Sequence, residues 1–430
     1  MKLLLKNGRL IDPKNNIDEK MDILAENGKV SQRGKSLKGS GCKVIDLKGC
    51  AVFPGFIDMH VHLREPGRED QETIETGTLA AAHGGFASVV CMPNTEPPVD
   101  NEGIVELIYA QARTSGVVNV FPVACISKGR MGEDIAEVGS LKKAGAVALS
   151  DDGNTVMNSN LMRRVLEYSS MFGIPVIDHC EDFNLSGDGV MNFSENSIRF
   201  GLKGIPSASE DIIVARDIIL SEMTDSHIHL AHISTAGAVD LIRRAKKKGL
   251  KVTAETAPHY FTLSDRYLET FDTNFKMKPP LRTEEDRKAV VRGLAEGIID
   301  AIASDHAPHV QHEKDVEFDF APFGIIGLET SVGLALTHLY HKKILNLTQI
   351  AERYSLNPAK ILNFKDKGHL SEGADADFTV IDTEKNWTVK ADDFYSKSKN
   401  SPFIGWELKG KPVLTIPGGK IAYNELPGKT

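Results

Sequence analysis

The chain has 430 residues, of which 41% are hydrophobic and 26% are charged, a composition typical of a globular protein with a substantial core. Its net charge of −8 gives no basic surface for nucleic acid or an anionic membrane, and no stretch approaches the ~20 apolar residues that span a bilayer. The five cysteines are odd in number and form no CxxC pair, which indicates reduced thiols and a cytoplasmic location.

The two ends of the chain both favour short β-strands. Residues 1–53 predict strands with turns at Asn7–Gly8 and Asn27–Gly28, and residues 365–430 predict further strands separated by glycine-rich turns. Neither end alone is long enough to close a core. We therefore expect 1–53 and 365–430 to form one small composite β domain, a β-sandwich, beside a central domain at 54–364.

The central part alternates eight short apolar runs with helical segments whose apolar residues recur every three or four positions. This order predicts an α/β fold of the TIM type, a (β/α)8 barrel of parallel strands. Apolar runs without strict alternation fit strands that are buried on both faces. The runs lie at 56–62, 87–94, 118–127, 144–152, 174–182, 227–235, 251–260 and 300–309.

Polar side chains stand where these runs end, which in a βα barrel is the face that carries the active site. His60 and His62 are two apart on a strand, so both rings face the same side, and imidazole nitrogens suit zinc and similar divalent ions. Alone, such a pair is more often an ordinary polar strand edge. Together, however, the strand ends predict a site for one or two metal ions, formed by His60, His62, Asp152, His179, His232 and Asp305.

Such a site suits the hydrolysis of a ring amide. A bound divalent ion lowers the pKa of its water from 15.7 to roughly 7 and polarises a carbonyl. The departing nitrogen then needs a proton, which a carboxylate beside the attacking water can deliver. Asp305, at the end of the last strand, is placed for this role; its alternative is a ligand with no part in proton transfer.

Several segments together resemble the bacterial dihydroorotases of the class I type, in the amidohydrolase superfamily, from about Asn7 to about Tyr423. HxH is general in that superfamily, whereas HLREPG, SDHAPH and APFG are more specific. The resemblance implies reversible hydrolysis of (S)-dihydroorotate to N-carbamoyl-L-aspartate in de novo pyrimidine (UMP) biosynthesis, by metal-bound hydroxide with Asp305 as proton shuttle. The segments are PGFIDMHVHLREPGRED, CMPNTEP, ALSDDG, VIDHCED, AHISTAG, KPPLR, SDHAPH and APFGIIGLET.

The resemblance also assigns the metal ligands, with zinc as the expected ion. Many relatives bridge two ions with a carbamylated lysine, but here the fourth strand ends in Asp151–Asp152, and the class I pattern uses the second aspartate. We therefore expect Asp152 as the bridge and no modified lysine, with Asp151 as the alternative. One ion would be bound by His60, His62 and Asp305, and the second by His179 and His232.

The substrate contacts follow from the same resemblance. Arg64 and Asn94 would hold the acid group with help from His309, since a guanidinium offers a planar two-pronged donor to a carboxylate. A surface salt bridge of Arg64 with Glu65 or Asp70 is the alternative. The full set of expected contacts is His62, Arg64, Asn94, Lys278, His309, Phe323 and Gly324.

Lys278 stands where the family usually has asparagine, so it keeps a donor, adds a positive charge and loses an acceptor. Phe323 and Gly324 are expected to contact the pyrimidine ring through backbone groups, and the polar stretch at 309–322 suggests a mobile lid.

Other functions remain open from the sequence. An allantoinase or a hydantoinase would run the same chemistry on another ring, although HLREPG, Asn94 and Asp152 argue against both. An inactive scaffold of aspartate transcarbamoylase is a rival of another class, but such proteins typically lose metal ligands. Beyond a small-molecule substrate, the resemblance raises a homodimer and an association with aspartate transcarbamoylase as further interactions.

Overall fold

The structure is a computed structural model and describes residues 2–426. The strands along the chain are β1 (Lys2–Asp12), β2 (Ile17–Glu26), β3 (Lys29–Gly34), β4 (Lys43–Asp46), β5 (Ala51–Pro54), β6 (Phe56–Val61), β7 (Phe86–Cys91), β8 (Asn119–Ala124), β9 (Ala148–Leu149), β10 (Val176–Asp178), β11 (Met191–Asn192), β12 (Gly204–Ile205), β13 (Ile228–Leu230), β14 (Val252–Thr256), β15 (Ala301–Ile302), β16 (Phe378–Thr388), β17 (Glu407–Ile416) and β18 (Tyr423–Asn424).

The α-helices alternate with the central strands, and several begin with a side-chain cap, such as Thr73, which accepts a hydrogen bond from the Thr76 N–H. They are α1 (Ile74–His83), α2 (Glu102–Ser115), α3 (Val138–Ala144), α4 (Ser159–Met171), α5 (Phe183–Ser186), α6 (Glu195–Phe200), α7 (Ala208–Thr224), α8 (Ala236–Lys247), α9 (Pro258–Thr262), α10 (Glu284–Ala295), α11 (Gln311–Lys314), α12 (Leu328–Ala335), α13 (Leu347–Ala351) and α14 (Asn357–Ile361).

Eight parallel strands form the barrel, in the order β6, β7, β8, β9, β10, β13, β14, β15. A parallel bridge between Val61 and His306 joins β6 to the segment after β15. Apolar side chains such as Ile57, Val90 and Ile177 fill the interior and are at most 1% exposed, each stabilising the fold by roughly 1.5–3 kcal/mol. The predicted (β/α)8 barrel is confirmed, and its carboxyl-end face is available for a site.

Both ends of the chain contribute to a second, mixed sheet, in the order β18, β17, β16, β5, β1, β2, β3, with β4 paired to β1. The contact between the two ends is the antiparallel pairing of β5 with β16, in which Val52 lies opposite Val380. Side chains of these strands, including Leu3, Val52 and Phe378, form an apolar cluster separate from the barrel core. Within residues 2–426, no helix is long and apolar enough to cross a membrane.

One of the two turns predicted near the N-terminus is wrong. Asn27–Gly28 does connect β2 to β3 as a hairpin, with both residues at positive φ. Asn7–Gly8 instead lies inside β1, where the pairing register with β2 shifts and Asn7 has φ 64°. The pair therefore forms a β-bulge, in which Asn7 alone supplies the left-handed backbone that asparagine also supplies in a turn.

Candidate metal centre and active-site cavity

The barrel strands bring the six predicted ligands to one end of the barrel. His60 lies on β6 and His62 follows it, His179 follows β10, and the other three stand two or three residues beyond β9, β13 and β15. His232 and Asp305 have φ 35° and 50°, and Arg64 next to the site has φ 60°. Left-handed backbone is uncommon for such residues, and its concentration at one place is typical of a functional site.

Asp152 is at the centre of the cluster, because its carboxylate faces all four histidines. The atom Oδ1 lies 3.2 Å from Nε2 of His60, 3.7 Å from Nε2 of His232 and 3.8 Å from Nδ1 of His179. The atom Oδ2 lies 3.5 Å from Nε2 of His62. A carboxylate in this position can be shared between two ions.

Asp305 completes the other side of the cluster. Its Oδ1 lies 3.3 Å from Nε2 of His62 and 3.6 Å from Nε2 of His60. The side chains form two overlapping groups with ligand atoms within 4.8 Å of one another. Those groups are His60 with His62 and Asp305, and His60 with Asp152 and His232.

The donor atoms fit a metal because they are buried without other partners. Nε2 of His60 and Oδ1 of Asp152 make no hydrogen bond to any residue in the range 2–426, although both are shielded from solvent. An unpaired buried polar atom is costly, so an ion that both atoms bind would remove that penalty. The cluster is therefore a candidate metal centre, made of nitrogen and carboxylate ligands that suit zinc.

Three neighbouring groups orient the histidine rings. Nδ1 of His60 lies 2.9 Å from Oε1 of Glu255, and Nδ1 of His62 lies 2.8 Å from Oδ1 of Asn94. His179 contacts Glu181 in the same way, through Nε2 at 3.0 Å. Each contact leaves the opposite nitrogen of the ring free to face the cluster, which is the usual arrangement around metal-binding histidines.

The ionisation of Asp305 suits a proton acceptor. Burial acts to raise the pKa of this carboxyl group, but the hydrogen bond to His62 and the positive charge of His60 lower the pKa to about 2. Asp305 is therefore a carboxylate near neutral pH. Its side chain is 11% exposed, against 5% for Asp152, so Asp305 is the more accessible of the two carboxylates.

Asp151, the alternative bridge, points elsewhere. Its carboxylate accepts hydrogen bonds from the backbone N–H groups of Ile126 and Ser127 and from the Ser127 hydroxyl. His306, next to Asp305 in the sequence, lies 3.2 Å from Glu72 through Nε2 and accepts a hydrogen bond from Gly327 N–H at Nδ1. Neither side chain reaches the cluster, and both instead fix the loops around it.

A cavity of about 220 Å³ opens directly onto the candidate metal centre. Arg64 is half-buried there and donates from Nε to the carbonyl oxygen of Pro308 at 3.2 Å. Asp70 pairs with Arg68, and Glu65 accepts from Ile74 N–H, so the surface salt bridge considered for Arg64 is absent among the described residues. The predicted contacts that line the cavity are His62, Arg64, Asn94, Lys278, His309, Phe323 and Gly324.

Some of these residues are already bonded to the protein. Nε2 of His309 lies 2.9 Å from the carbonyl oxygen of Phe323, and Gly324 N–H donates to the carbonyl oxygen of Lys276. Gly324 has φ 127°, and a Cβ atom there would lie 2.7 Å from Cβ of Ala307. A glycine is therefore required at this wall, and the backbone groups expected to contact the ring are partly occupied within the protein.

The sequence did not predict the residues that support the metal ligands and the cavity loops, and only some of them have an unusual sequence position. Glu181 is two residues after His179, so its position could have been noticed. Glu255 is the only charged residue of the mostly buried strand β14, which is also unusual. Asn400, which contacts the cavity loops from the far end of the chain, has no local signal at all.

Comparison with known proteins identifies the family. Residues 49–238 match the dihydro-orotase-like family, and residues 320–423 match an amidohydrolase family. The chain is 55% identical over 424 residues to a dihydroorotase of Geobacter metallireducens, which covers 98% of this chain and 100% of that protein. The chain belongs to the dihydroorotase family. A dihydroorotase of Pelotomaculum thermopropionicum is 52% identical over 425 residues, covering 99% of each chain.

Solved structures similar to this dihydroorotase family member include two hydantoinases. The L-hydantoinase of Arthrobacter aurescens superposes with a TM-score of 0.89 at 25% identity, covering 100% of this chain and 97% of that one. A D-hydantoinase superposes with a TM-score of 0.87 at 24% identity, covering 99% and 96%. At this identity the match to the D-hydantoinase demonstrates a common fold and carries no argument about the substrate.

Proposed function

We propose that the chain catalyses the reversible hydrolysis of (S)-dihydroorotate to N-carbamoyl-L-aspartate, a step of de novo pyrimidine biosynthesis. The main support is the identity of more than half of all residues with dihydroorotases over the full length of both chains. The cavity adds to this, because it combines an arginine suited to a carboxylate with a candidate metal centre.

Two zinc ions are the cofactors that fit this ligand set best. One would be held by His60, His62 and Asp305, the other by His179 and His232, with Asp152 shared. An aspartate at the shared position makes a carbamylated lysine unnecessary. When bound, a divalent ion supplies Lewis acidity, which makes water a better nucleophile and a ring carbonyl a better electrophile.

The residues around the cavity would hold the acid group of the substrate. Arg64 offers a guanidinium to the carboxylate, and burial lowers the pKa of Arg64 only to about 10, so its charge persists. Because Oδ1 of Asn94 accepts from His62, the amide N–H groups of Asn94 are left to donate to the same carboxylate. His309 is neutral, since burial and the charge of Arg64 lower its pKa to about 3.

Asp305 would carry the proton that hydrolysis requires. The attacking water forms a C–O bond to the ring carbonyl and loses one proton to Asp305. The C–N bond then breaks, and the same proton moves from Asp305 to the departing nitrogen. The new carboxyl group, which keeps the other proton of the water, then releases it to solvent as it ionises, so atoms and charge balance without another reactant, and the reverse sequence closes the ring.

The decisive experiment compares dihydroorotate with hydantoin and allantoin as substrates of the purified chain, before and after chelation, with metal counted on the same sample. We expect turnover of dihydroorotate, its loss on chelation, and its return with zinc. Turnover of hydantoin or allantoin without turnover of dihydroorotate would reject the proposal. No turnover with full metal content would favour the scaffold alternative.

The Asp305→Asn variant tests the proton step separately. It keeps the shape of the side chain and one oxygen ligand but cannot accept the proton, so we expect kcat to fall by about 10²–10⁴-fold, the range for general acid–base groups. Retained metal with unchanged kcat would exclude this role.

A homodimer, an association with aspartate transcarbamoylase and a cytoplasmic location stay predictions.

A further inference from the structure

A segment from the C-terminal part of the chain crosses the edge of the active-site face. This segment, residues 395–401, is here called the strap, and it lies between β16 and β17. Its Ser398 hydroxyl donates to the carbonyl oxygen of Gln71 at 2.7 Å, and its Lys397 N–H donates to Glu72 at 3.1 Å. The strap is therefore fastened to the loop that follows β6.

Asn400 is the residue of the strap that reaches the cavity loops. Its Oδ1 accepts a hydrogen bond from His309 N–H at 3.2 Å. Its Nδ2 donates to the carbonyl oxygens of Ala307 and Gly324, both at 3.1 Å. The residue is 3% exposed, so all three bonds are shielded from water. Their loss would be costly, because water could not replace them.

The three partners of the Asn400 side chain belong to the wall of the cavity. Ala307 and His309 follow β15 on one side, and Gly324 lies on the neighbouring loop that carries Phe323. These two segments are in close contact, as the 2.7 Å separation of a hypothetical Gly324 Cβ from Ala307 Cβ indicates. One amide group therefore sets the relative positions of both segments.

We propose that Asn400 is a positioning residue for substrate binding, which holds the 307–309 and 323–324 segments in register from outside the barrel. It touches no candidate metal ligand in the hydrogen bonds that the structure gives it, so its effect acts on the substrate side of the cavity. The kinetic part of its test rests on the proposed dihydroorotate hydrolysis; the exchange part does not.

Two variants separate the hydrogen bonds. Asn400→Ala removes all three, whereas Asn400→Asp keeps an acceptor for His309 N–H but replaces both donors with an oxygen that faces two carbonyl oxygens. We expect KM for dihydroorotate to rise about tenfold or more in both variants, while kcat stays within about threefold of wild type and metal content is unchanged. The reason is that the variants lose contacts that hold the substrate and the transition state equally well. Ser401→Ala is the matched control, since the hydroxyl of this buried neighbour accepts a hydrogen bond only from Phe403 N–H among the described residues.

Amide hydrogen exchange gives a readout that does not depend on the substrate. We expect faster exchange of the His309 amide in Asn400→Ala, and retained protection in Asn400→Asp and Ser401→Ala. An unchanged KM in the aspartate variant, or unchanged His309 exchange in the folded alanine variant, would overturn the role. If the alanine variant does not fold, KM of the aspartate variant decides. A wild-type chain that does not hydrolyse dihydroorotate would reject the proposed function, and exchange would still decide the role of Asn400.

Discussion

The ammonium nitrogen of Lys278 lies 3.1 Å from Oε1 of Glu181, and the other oxygen of that carboxylate lies 3.0 Å from Nε2 of His179. The rings of Phe183 and Phe323 flank the ammonium group, with centroids at 5.6 Å and 5.3 Å. One buried carboxylate thus joins a cation of the cavity to a candidate metal ligand. Asparagine, usual in the family at position 278, could not form this ion pair.

We predict that Lys278 favours the open-chain ligand, because N-carbamoyl-L-aspartate carries two negative charges and dihydroorotate carries one. The test uses an Asp305→Asn background, in which turnover is slowed about 10²–10⁴-fold. There Lys278→Asn should weaken binding of the doubly charged ligand about tenfold and binding of dihydroorotate less than about threefold, since Coulomb attraction grows with ligand charge. Titration calorimetry measures both dissociation constants.

The control for this prediction is Lys278→Arg, which retains the charge and should retain the preference. Equal weakening of both ligands in Lys278→Asn would mean that the lysine acts through shape alone. A smaller dissociation constant for the doubly charged ligand in Lys278→Asn than in the protein with Lys278 would contradict the prediction outright.

Asp152 should determine how many ions the chain holds. Asp152→Asn removes the negative charge that faces four histidines, so we expect metal content measured by mass spectrometry to fall by about half or more, because carboxylate ligands bind metal in the ionised form. Asp151→Asn is the matched control, as its carboxylate bonds to Ile126 and Ser127 instead. It should keep the metal and lower thermal stability; the opposite pattern would make Asp151 the bridge.

The sequence predicted the barrel and the cluster because both follow from local rules. Strand periodicity places His60 and His62 on one side, and the carboxyl ends of parallel strands meet at one face, so Asp152 and Asp305 could be placed near them without knowledge of distances. The same rules produced the error at Asn7–Gly8, since an asparagine–glycine pair fits a bulge as well as a turn.

The supporting contacts could not be predicted because they depend on packing between distant segments. Asn400 meets Gly324 only when the strap is folded against the barrel, at a separation of 76 residues along the chain. Glu255 is 195 residues from His60. Nothing in the neighbouring sequence of either residue specifies its partner, because the partner is set by the order of strands around the barrel.

Glu255 should control metal affinity through His60. Its Oε1 lies 2.9 Å from Nδ1 of His60, and its Oε2 lies 3.4 Å from Nε2 of His229. Glu255→Gln removes the charge that makes the His60 ring a better ligand, so we expect metal affinity to fall by about 10–100-fold, as for other groups that orient metal-binding histidines. Competition with a chromophoric chelator measures this affinity.

Thr253→Val is the control for Glu255, since Oγ1 of Thr253 contacts His227 and His229 without reaching His60. Its metal affinity should stay within about threefold of wild type. Wild-type affinity in Glu255→Gln would show that His60 needs no charged partner at Nδ1.

Lys314 should make the stability of the protein depend on pH. Its ammonium group donates to the carbonyl oxygens of Pro322 and Gly324 at 2.9 Å and 3.1 Å, and the residue is 3% exposed. Burial, together with the charge of Lys276, lowers the pKa of Lys314 from 10.5 to about 7. At a pH between these two pKa values, Lys314 is protonated in the unfolded chain and neutral in the folded chain.

The free energy of unfolding therefore contains a term that rises as the pH increases from about 7 to 10.5, on the order of a few kcal/mol in total. Lys314→Met lacks this term, so the wild type should gain stability relative to the variant over that range. Urea unfolding midpoints of both proteins, measured at several pH values with metal bound, test the difference. Lys142→Met removes a lysine from α3 and is the control, so its free energy of unfolding should rise with pH as steeply as that of the wild type. If the free energies of wild type and Lys314→Met instead changed in parallel with pH, the two carbonyl oxygens would keep Lys314 charged throughout.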